Sequence, residues 1–340
     1  MPTLLVTLKT QAILLSLIIA FEVAAQAGSQ PEHGTTIGSA PSGPPSKEPG
    51  HDGLSLRETS HRSGVWDGVD VDPETDRVYS LGSMAWSVED QAWTGQLVCI
   101  DGVGKELSKA PISGKQQPPS SLRVARGAAS DPVIVLYGRT TKYVYGFDTA
   151  GKSLWVNHTG YVNDVVCANP RGLADQEILV ATSDQGVARY RLDGTALPNV
   201  ESPCSYISRM TTVRAREGKC SVPVLKLPRR SLLIAGEGDK KPTEIQTKFD
   251  MVEIDAIGGS DGPAIVGLSY APPLRMESIA LTGKVNWDIV DRQVQSYVVS
   301  VAGSGSSQLV AVTFKDGSLR IYHALSGKLL YEARVGFWAH

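Results

Sequence analysis

Tyr143-Val-Tyr-Gly-Phe-Asp-Thr-Ala-Gly-Lys-Ser-Leu-Trp-Val156 decides the fold. An apolar run, a short polar turn carrying Gly-Lys and a second apolar run read as a β-hairpin, because glycine supplies the backbone conformation that a tight turn requires. The pattern returns as LVCIDGVGKELSKA from Leu97, VARYRLDGTALPNV from Val187, MESIALTGKVNWDIV from Met276 and LRIYHALSGKLLYEA from Leu319. The turn glycines Gly104, Gly151, Gly194, Gly283 and Gly327 are separated by 47, 43, 89 and 44 residues. The separation of 89 is two periods, so a degenerate copy lies between.

A second series fills that gap. β-rich runs begin at Arg77, Pro132, Glu177, Val222, Pro263 and Gln308, in steps of 55, 45, 45, 41 and 45 residues. Another apolar run precedes each, at 68, 122, 164, 212, 251 and 297. Each period therefore holds four strands, A to D. A four-stranded sheet cannot bury both of its faces alone, and packing such sheets around an axis buries them against neighbours. Four antiparallel strands per period of about 45 residues is the arithmetic of a β-propeller. The expected fold class is all-β: a six-bladed β-propeller of four-stranded antiparallel blades over residues 62–340.

The repeat around Tyr143–Trp155, with Phe147-Asp148 before the turn, Gly151-Lys152 in it and Leu154-Trp155 after it, resembles that of the quinoprotein-dehydrogenase-like propellers (the PQQ-like repeat). The A–B hairpins resemble FG-GAP-type repeats, in which an acidic loop precedes a strand like Glu177-Ile-Leu-Val-Ala181. The resemblance implies the propeller fold and leaves function open. The chain departs from those enzymes in having six repeats instead of eight and no vicinal cysteine pair. Loops such as 169–175 and 302–306 are also too poor in carboxylates for a calcium ion.

Ahead of the repeats, Lys9, the apolar stretch Ala12–Phe21 and the small-residue site Ala25-Gln-Ala27 read as a signal peptide over 1–27, cleaved before Gly28. Residues 28–61 are rich in Gly, Pro and Ser and read as a disordered linker. The expected location is therefore secreted or periplasmic, with no transmembrane segment in the mature chain. The 340 residues carry 33 Lys+Arg against 35 Asp+Glu, net −2, which gives no electrostatic reason to expect a nucleic-acid partner.

Candidate chemistry is sparse. Asp70, Asp72, Glu74 and Asp76 place four carboxylates close together and are the one candidate calcium site, although alternation along a strand, the turn at Pro73 and the lack of glycine argue for an ordinary hairpin. Gly258-Gly-Ser-Asp-Gly262 matches a nucleophile elbow in letters but falls in a strand-to-strand turn. No cofactor is expected, and pyrroloquinoline quinone is not implied by any residue. Of four cysteines, Cys99 and Cys167 fall in strands, while Cys204 and Cys220 flank the fourth A strand and form the one candidate disulfide.

The expected function is that of a binding or interaction module, with a protein or glycan ligand on the face bearing the B–C and D–A loops. The alternative is a carbohydrate-active or quinone-dependent enzyme on the same scaffold. Gly82–Gly95 lengthens the first B–C connection by about ten residues and places Trp86 and Trp93 around Glu89 and Asp90, either as an aromatic platform or as a lid. Trp66 and Asp67 are expected beside it, and Arg139, Asp164, Asp184, Arg229 and Lys248 around the channel mouth.

Overall fold

The structure is a computed structural model that describes residues 66–334 except 73–74, 76, 103, 128–130, 140, 170–174, 201, 215–220, 229, 236–240, 259–261, 270–272, 292–295, 303–307 and 315–317. The expected signal peptide and linker lie outside the described residues.

Among the described residues there is no helix. Consecutive strands form six antiparallel four-stranded sheets. Sheet 1 is β1 (Trp66–Asp72), β2 (Arg77–Ser87), β3 (Ala92–Ile100) and β4 (Glu106–Lys115). Sheet 2 is β5 (Ser121–Ala125), β6 (Val133–Tyr137), β7 (Tyr143–Phe147) and β8 (Ser153–His158). Sheet 3 is β9 (Val162–Ala168), β10 (Glu177–Thr182), β11 (Val187–Tyr190) and β12 (Ala196–Val200). Sheet 4 is β13 (Arg209–Arg214), β14 (Ser221–Leu227), β15 (Ser231–Ile234) and β16 (Thr243–Gln246). Sheet 5 is β17 (Glu253–Ile257), β18 (Ala264–Leu268), β19 (Leu274–Ala280) and β20 (Val285–Asp291). Sheet 6 is β21 (Ser296–Ala302), β22 (Leu309–Phe314), β23 (Ser318–His323) and β24 (Leu329–Arg334).

The hairpins between third and fourth strands form for the reason the sequence suggested. Gly104, Gly151, Gly194, Gly283 and Gly327 all have positive φ, between 68° and 87°. In sheet 2 the Asp148 carboxylate accepts from the Ala150 and Lys152 amides, at 3.0 and 2.8 Å, and holds that turn from inside.

The same turns join one sheet to the next. Trp155, four residues after Gly151, donates from Nε1 to the Leu192 carbonyl of sheet 3 at 2.8 Å, and its ring lies where a Cβ on Gly194 would meet it at 2.6 Å. Trp287, four residues after Gly283, repeats this in sheet 6: it donates to the Ala324 carbonyl at 2.8 Å and covers Gly327 at 2.8 Å. Ala110 and the Pro111 carbonyl stand in that place against Gly151.

Apolar cores lie between successive sheets. Tyr79, Leu81 and Leu97 meet Leu122, Ile134 and Phe147 between sheets 1 and 2. Val135 and Tyr137 meet Val165 and Ile178 between sheets 2 and 3, and Leu179 meets Leu225 between sheets 3 and 4. Val224 meets Ile265 between sheets 4 and 5, and Val266 meets Val312 between sheets 5 and 6. The first strands of the six sheets therefore stand side by side in chain order.

One expectation is corrected. Gly82–Gly95 is not a loop: β2 and β3 run on as a hairpin arm, in which Trp86 pairs with Trp93 and only 88–91 turn. Trp93 is fully buried, with its ring edge-on to Tyr145 at 5.4 Å and covering Gly114. The reason is its alternation in step with Leu97 and Cys99, all on the face that meets sheet 2. The candidate Cys204–Cys220 pair falls partly outside the described residues. Cys204 is free and its thiol donates to the Tyr206 carbonyl at 3.2 Å, while Cys220 lies outside the described residues.

Candidate functional site

The first strands carry the charged residues that sequence reasoning had no means to bring together. Asp70 on β1, Asp164 on β9 and Asp255 on β17 belong to alternate sheets, 94 and 91 residues apart. Each reaches the next sheet. Asp70 accepts the Val124 amide at 2.9 Å, Asp164 the Met210 amide at 3.0 Å and Asp255 the Val301 amide at 2.8 Å. The other oxygen of Asp164 takes the Val165 amide at 2.9 Å, and that of Asp255 the Ala256 amide at 2.8 Å. These carboxylates are clips between neighbouring first strands, each satisfying a main-chain donor of the next strand.

The residue before each of the first two clipped amides is an arginine. Arg123, before Val124, donates from Nε to the Val165 carbonyl of sheet 3 at 2.9 Å. Arg209, before Met210, forms a two-pronged pair with Glu253 of sheet 5, at 3.0 and 2.7 Å. Arg139, on the β6–β7 loop of sheet 2, places Nη1 3.8 Å from Glu253 Oε1. Sheets 2 and 5, separated in chain order by two others, thus approach each other directly.

Burial raises the pKa of Asp70 above its ordinary value, with Arg123 and the main-chain amides pulling the other way. Burial raises Asp255 in the same manner, against the Val301 and Ala256 amides, Thr211 and Arg123. Burial disfavours the Arg123 cation, but Tyr137, Asp70 and Asp164 outweigh it and hold its pKa high. Desolvation pushes the Tyr137 phenol up to about 12, and its hydroxyl donates to Asp164 at 3.4 Å. Burial likewise pushes the Cys167 thiol up to about 12, with the Asp70 charge adding to the effect. Arg123 thus feels carboxylates from sheets 1, 3 and 5 while a third of its side chain, 34%, stays accessible.

Around this cluster the connecting segments are knitted together. Main-chain bonds run from Thr159 to Lys142 at 2.8 Å, Val162 to Thr141 at 2.8 Å, Ser183 to Tyr161 at 2.9 Å, Gly186 to Ser205 at 2.7 Å and Ile207 to Thr182 at 3.1 Å. One rim therefore spans sheets 2, 3 and 4. It carries exposed Tyr161 and Tyr206, with the Lys142 ammonium 4.5 Å over the Tyr161 ring. The exposed large apolar side chains fall into two groups. Leu107, Leu154, Val156, Val290 and Leu329 lie on outermost strands; Trp86, Val88, Tyr161 and Tyr206 lie on the arm and this rim.

The expected site residues separate accordingly. Arg139 and Asp164 belong to the cluster. Asp184 is exposed on the rim, its carboxylate lying against Gly160, where a Cβ would meet it at 1.9 Å. Trp86 is exposed, and Asp90 accepts from Ser87 at 2.8 Å in the exposed turn that also holds Glu89. Lys248 turns away from the cluster, paired at 3.1 Å with Asp288 on β20, the outermost strand of sheet 5. The side chains of Trp66 and Asp67, and all of Arg229, lie outside the described residues. Of the candidate calcium ligands, Asp70 is a clip and Asp72 is paired with both prongs of Arg126. Glu74 and Asp76 are outside the described residues. Among the described residues no three His, Cys, Asp or Glu side chains group as metal ligands would, and no helix is long and apolar enough to cross a membrane.

Sequence reasoning missed Arg123, Tyr137, Arg209, Thr211, Glu253 and Asp255. The only signal available was the recurrence of Asp70, Asp164 and Asp255 at two repeat lengths. No family model matches this chain, and no curated protein matches it.

Proposed function

We propose that this chain is an exported six-bladed β-propeller that acts as a binding module, with its ligand on the face formed by the knitted rim. Three observations support the ring: the serial packing of six sheets, the approach of Arg139 to Glu253 across two intervening sheets, and burial of the outer faces of the terminal sheets. Val78, Ser80 and Val98 are buried on the face of sheet 1 turned away from sheet 2. Ala311, Leu319 and Ile321 are buried on the face of sheet 6 turned away from sheet 5. A ring places these two faces against each other. The superfamily likeness of the Gly-Lys repeat points the same way.

The rim carries the functional reading. A loop surface fixed by main-chain bonds and presenting exposed aromatic rings is prepared for recognition, because little ordering entropy remains to be lost when a ligand arrives. Catalysis by a carboxylate pair has less support, since both oxygens of Asp164, Glu253 and Asp255 are already engaged. The experiment is a thermal-shift screen of the mature chain against glycans, peptides, calcium and quinone. A true ligand at a hundred times its Kd should stabilise by about 2.7 kcal/mol. Tyr206→Ala should remove that shift and leave the unliganded Tm unchanged. Ligands whose shift survives every rim substitution would refute the assignment of this face.

A further inference from the structure

Resting on the rim as the binding face, we infer that two arginines at it anchor a carboxylate, and that the ligand is an acidic sugar of the uronate type. Two guanidinium groups of sheet 2 have donors left over beside the charged cluster. Arg139 makes no hydrogen bond among the described residues, and its side chain is 46% exposed. The nearest acid, Glu253, is an ion-pair neighbour that takes no hydrogen bond from it. Both Glu253 oxygens are taken by Arg209, and the 3.8 Å to Arg139 is beyond hydrogen-bonding range.

Arg123 repeats the situation. Its Nε and Nη1 serve the Val165 and Leu122 carbonyls, at 2.9 and 3.3 Å, while Nη2 stands 3.7 Å from Asp164 Oδ1 with no acceptor. Asp164 cannot turn towards it without releasing the Val165 and Met210 amides. The oxygens of Asp164 and Glu253 are thus held by main-chain amides or by Arg209. A planar guanidinium fork with free N–H groups matches a carboxylate in two-pronged geometry.

The surroundings select the carrier. Tyr161 and Tyr206 stand exposed on the rim, which begins at the β6–β7 loop bearing Arg139. Exposed aromatic rings on the same rim as a guanidinium fork suit a pyranose ring that carries its own acid, because the ring's C–H face stacks on an aromatic while the acid is held at its edge. A purely acidic peptide would find the fork but would leave the tyrosines unused.

The probes are short oligogalacturonate, the neutral galactose oligomer of equal length, and oligoglutamate, each titrated into the full mature chain by calorimetry. Oligogalacturonate should bind, with affinity falling as salt is raised. Arg139→Gln should weaken it about tenfold to a hundredfold, as expected for a charge-assisted hydrogen bond. Arg139→Lys should recover only part of the loss, and Tyr206→Ala should weaken it independently. Because the Arg139 side chain is half exposed and makes no hydrogen bond among the described residues, both of its variants should fold and keep Tm within a few degrees of the parent. Equal binding of the neutral oligomer overturns the carboxylate anchor but leaves the rim as the binding face. Binding of oligoglutamate in preference to the uronate overturns the sugar. Failure of all three probes, with another ligand bound through Tyr206, rejects this inference alone; failure of every ligand to depend on the rim rejects the binding face itself.

Discussion

Asp255 shows how one side chain can serve two sheets. Its carboxylate takes the amide of its own neighbour Ala256 and that of Val301 in sheet 6, and it accepts from Thr211 Oγ1 of sheet 4 at 3.3 Å. Asp255→Ala strands two main-chain donors, so chemical denaturation should show a loss of at least about 1–3 kcal/mol, the penalty for a buried donor without a partner. Titration adds a second expectation. The ordinary value is 3.8, and burial raises it in the folded chain. The folded state therefore holds this proton more tightly than the unfolded state. Its contribution is complete below the ordinary value and is lost as pH rises through the raised one. Relative to the parent, Asp255→Asn should gain stability from pH 4 to pH 7. A flat difference for Asp255→Asn would mean that the group is not displaced. The two paired tryptophans give a plainer contrast. Trp93→Ala should cost about 3–5 kcal/mol, the range for an aromatic deleted from a core. Trp86→Ala should stay within about 0.5 kcal/mol, as befits a surface site.

At the level of the hairpin, much was legible because the cause is local. Five glycines at recurring spacing marked turns that do require positive φ, and the runs at Arg77, Pro132, Glu177, Val222, Pro263 and Gln308 each fall within one residue of a second strand. The arm of sheet 1 was legible too, through the alternation of Trp93, Leu97 and Cys99, but two tryptophans among polar residues read more readily as surface. The turn glycines also separate two kinds of constraint. Gly194 and Gly283 have nearly the same φ, 83° and 86°. A Cβ at Gly194 would enter the Trp155 ring at 2.6 Å, whereas at Gly283 it would meet only Ile245 Cγ2 at an ordinary 3.7 Å. Gly283→Ala should therefore show the left-handed backbone penalty alone, about 1–2 kcal/mol. Gly194→Ala should exceed it clearly in urea unfolding. Equal losses would show that the tryptophan contact between sheets carries no strain.

At the level of the whole molecule, sequence reasoning stopped where partners come from different sheets. Nothing local links Arg139 to Glu253, or Asp70 to Val124. These pairs follow from how sheets stack, and a repeat length gives the stacking order without the contacts at its centre. The charged cluster was therefore seen only in part, as Asp70 named for another reason and Arg139 and Asp164 placed around the channel mouth. Lys248, expected there too, pairs with Asp288 on the outermost strand of sheet 5, because a connecting segment can point outwards as well as in. Net charge of −2 over the chain likewise gave no hint that arginines and carboxylates of several sheets gather at one place.

The binding face presupposes a ring, and a ring has a simple signature in distance. Leu107, Leu154, Val290 and Leu329 are exposed on the outermost strands of sheets 1, 2, 5 and 6, so spin labels can replace them without disturbing a core. Pulsed electron resonance on labelled pairs then orders the sheets in space. A closed ring makes sheets 1 and 6 neighbours. It predicts that the Leu107–Leu329 distance is close to that of Leu107–Leu154 and shorter than that of Leu107–Val290. A Leu107–Leu329 distance longer than Leu107–Val290 would make the six sheets an open arc and contradict the account.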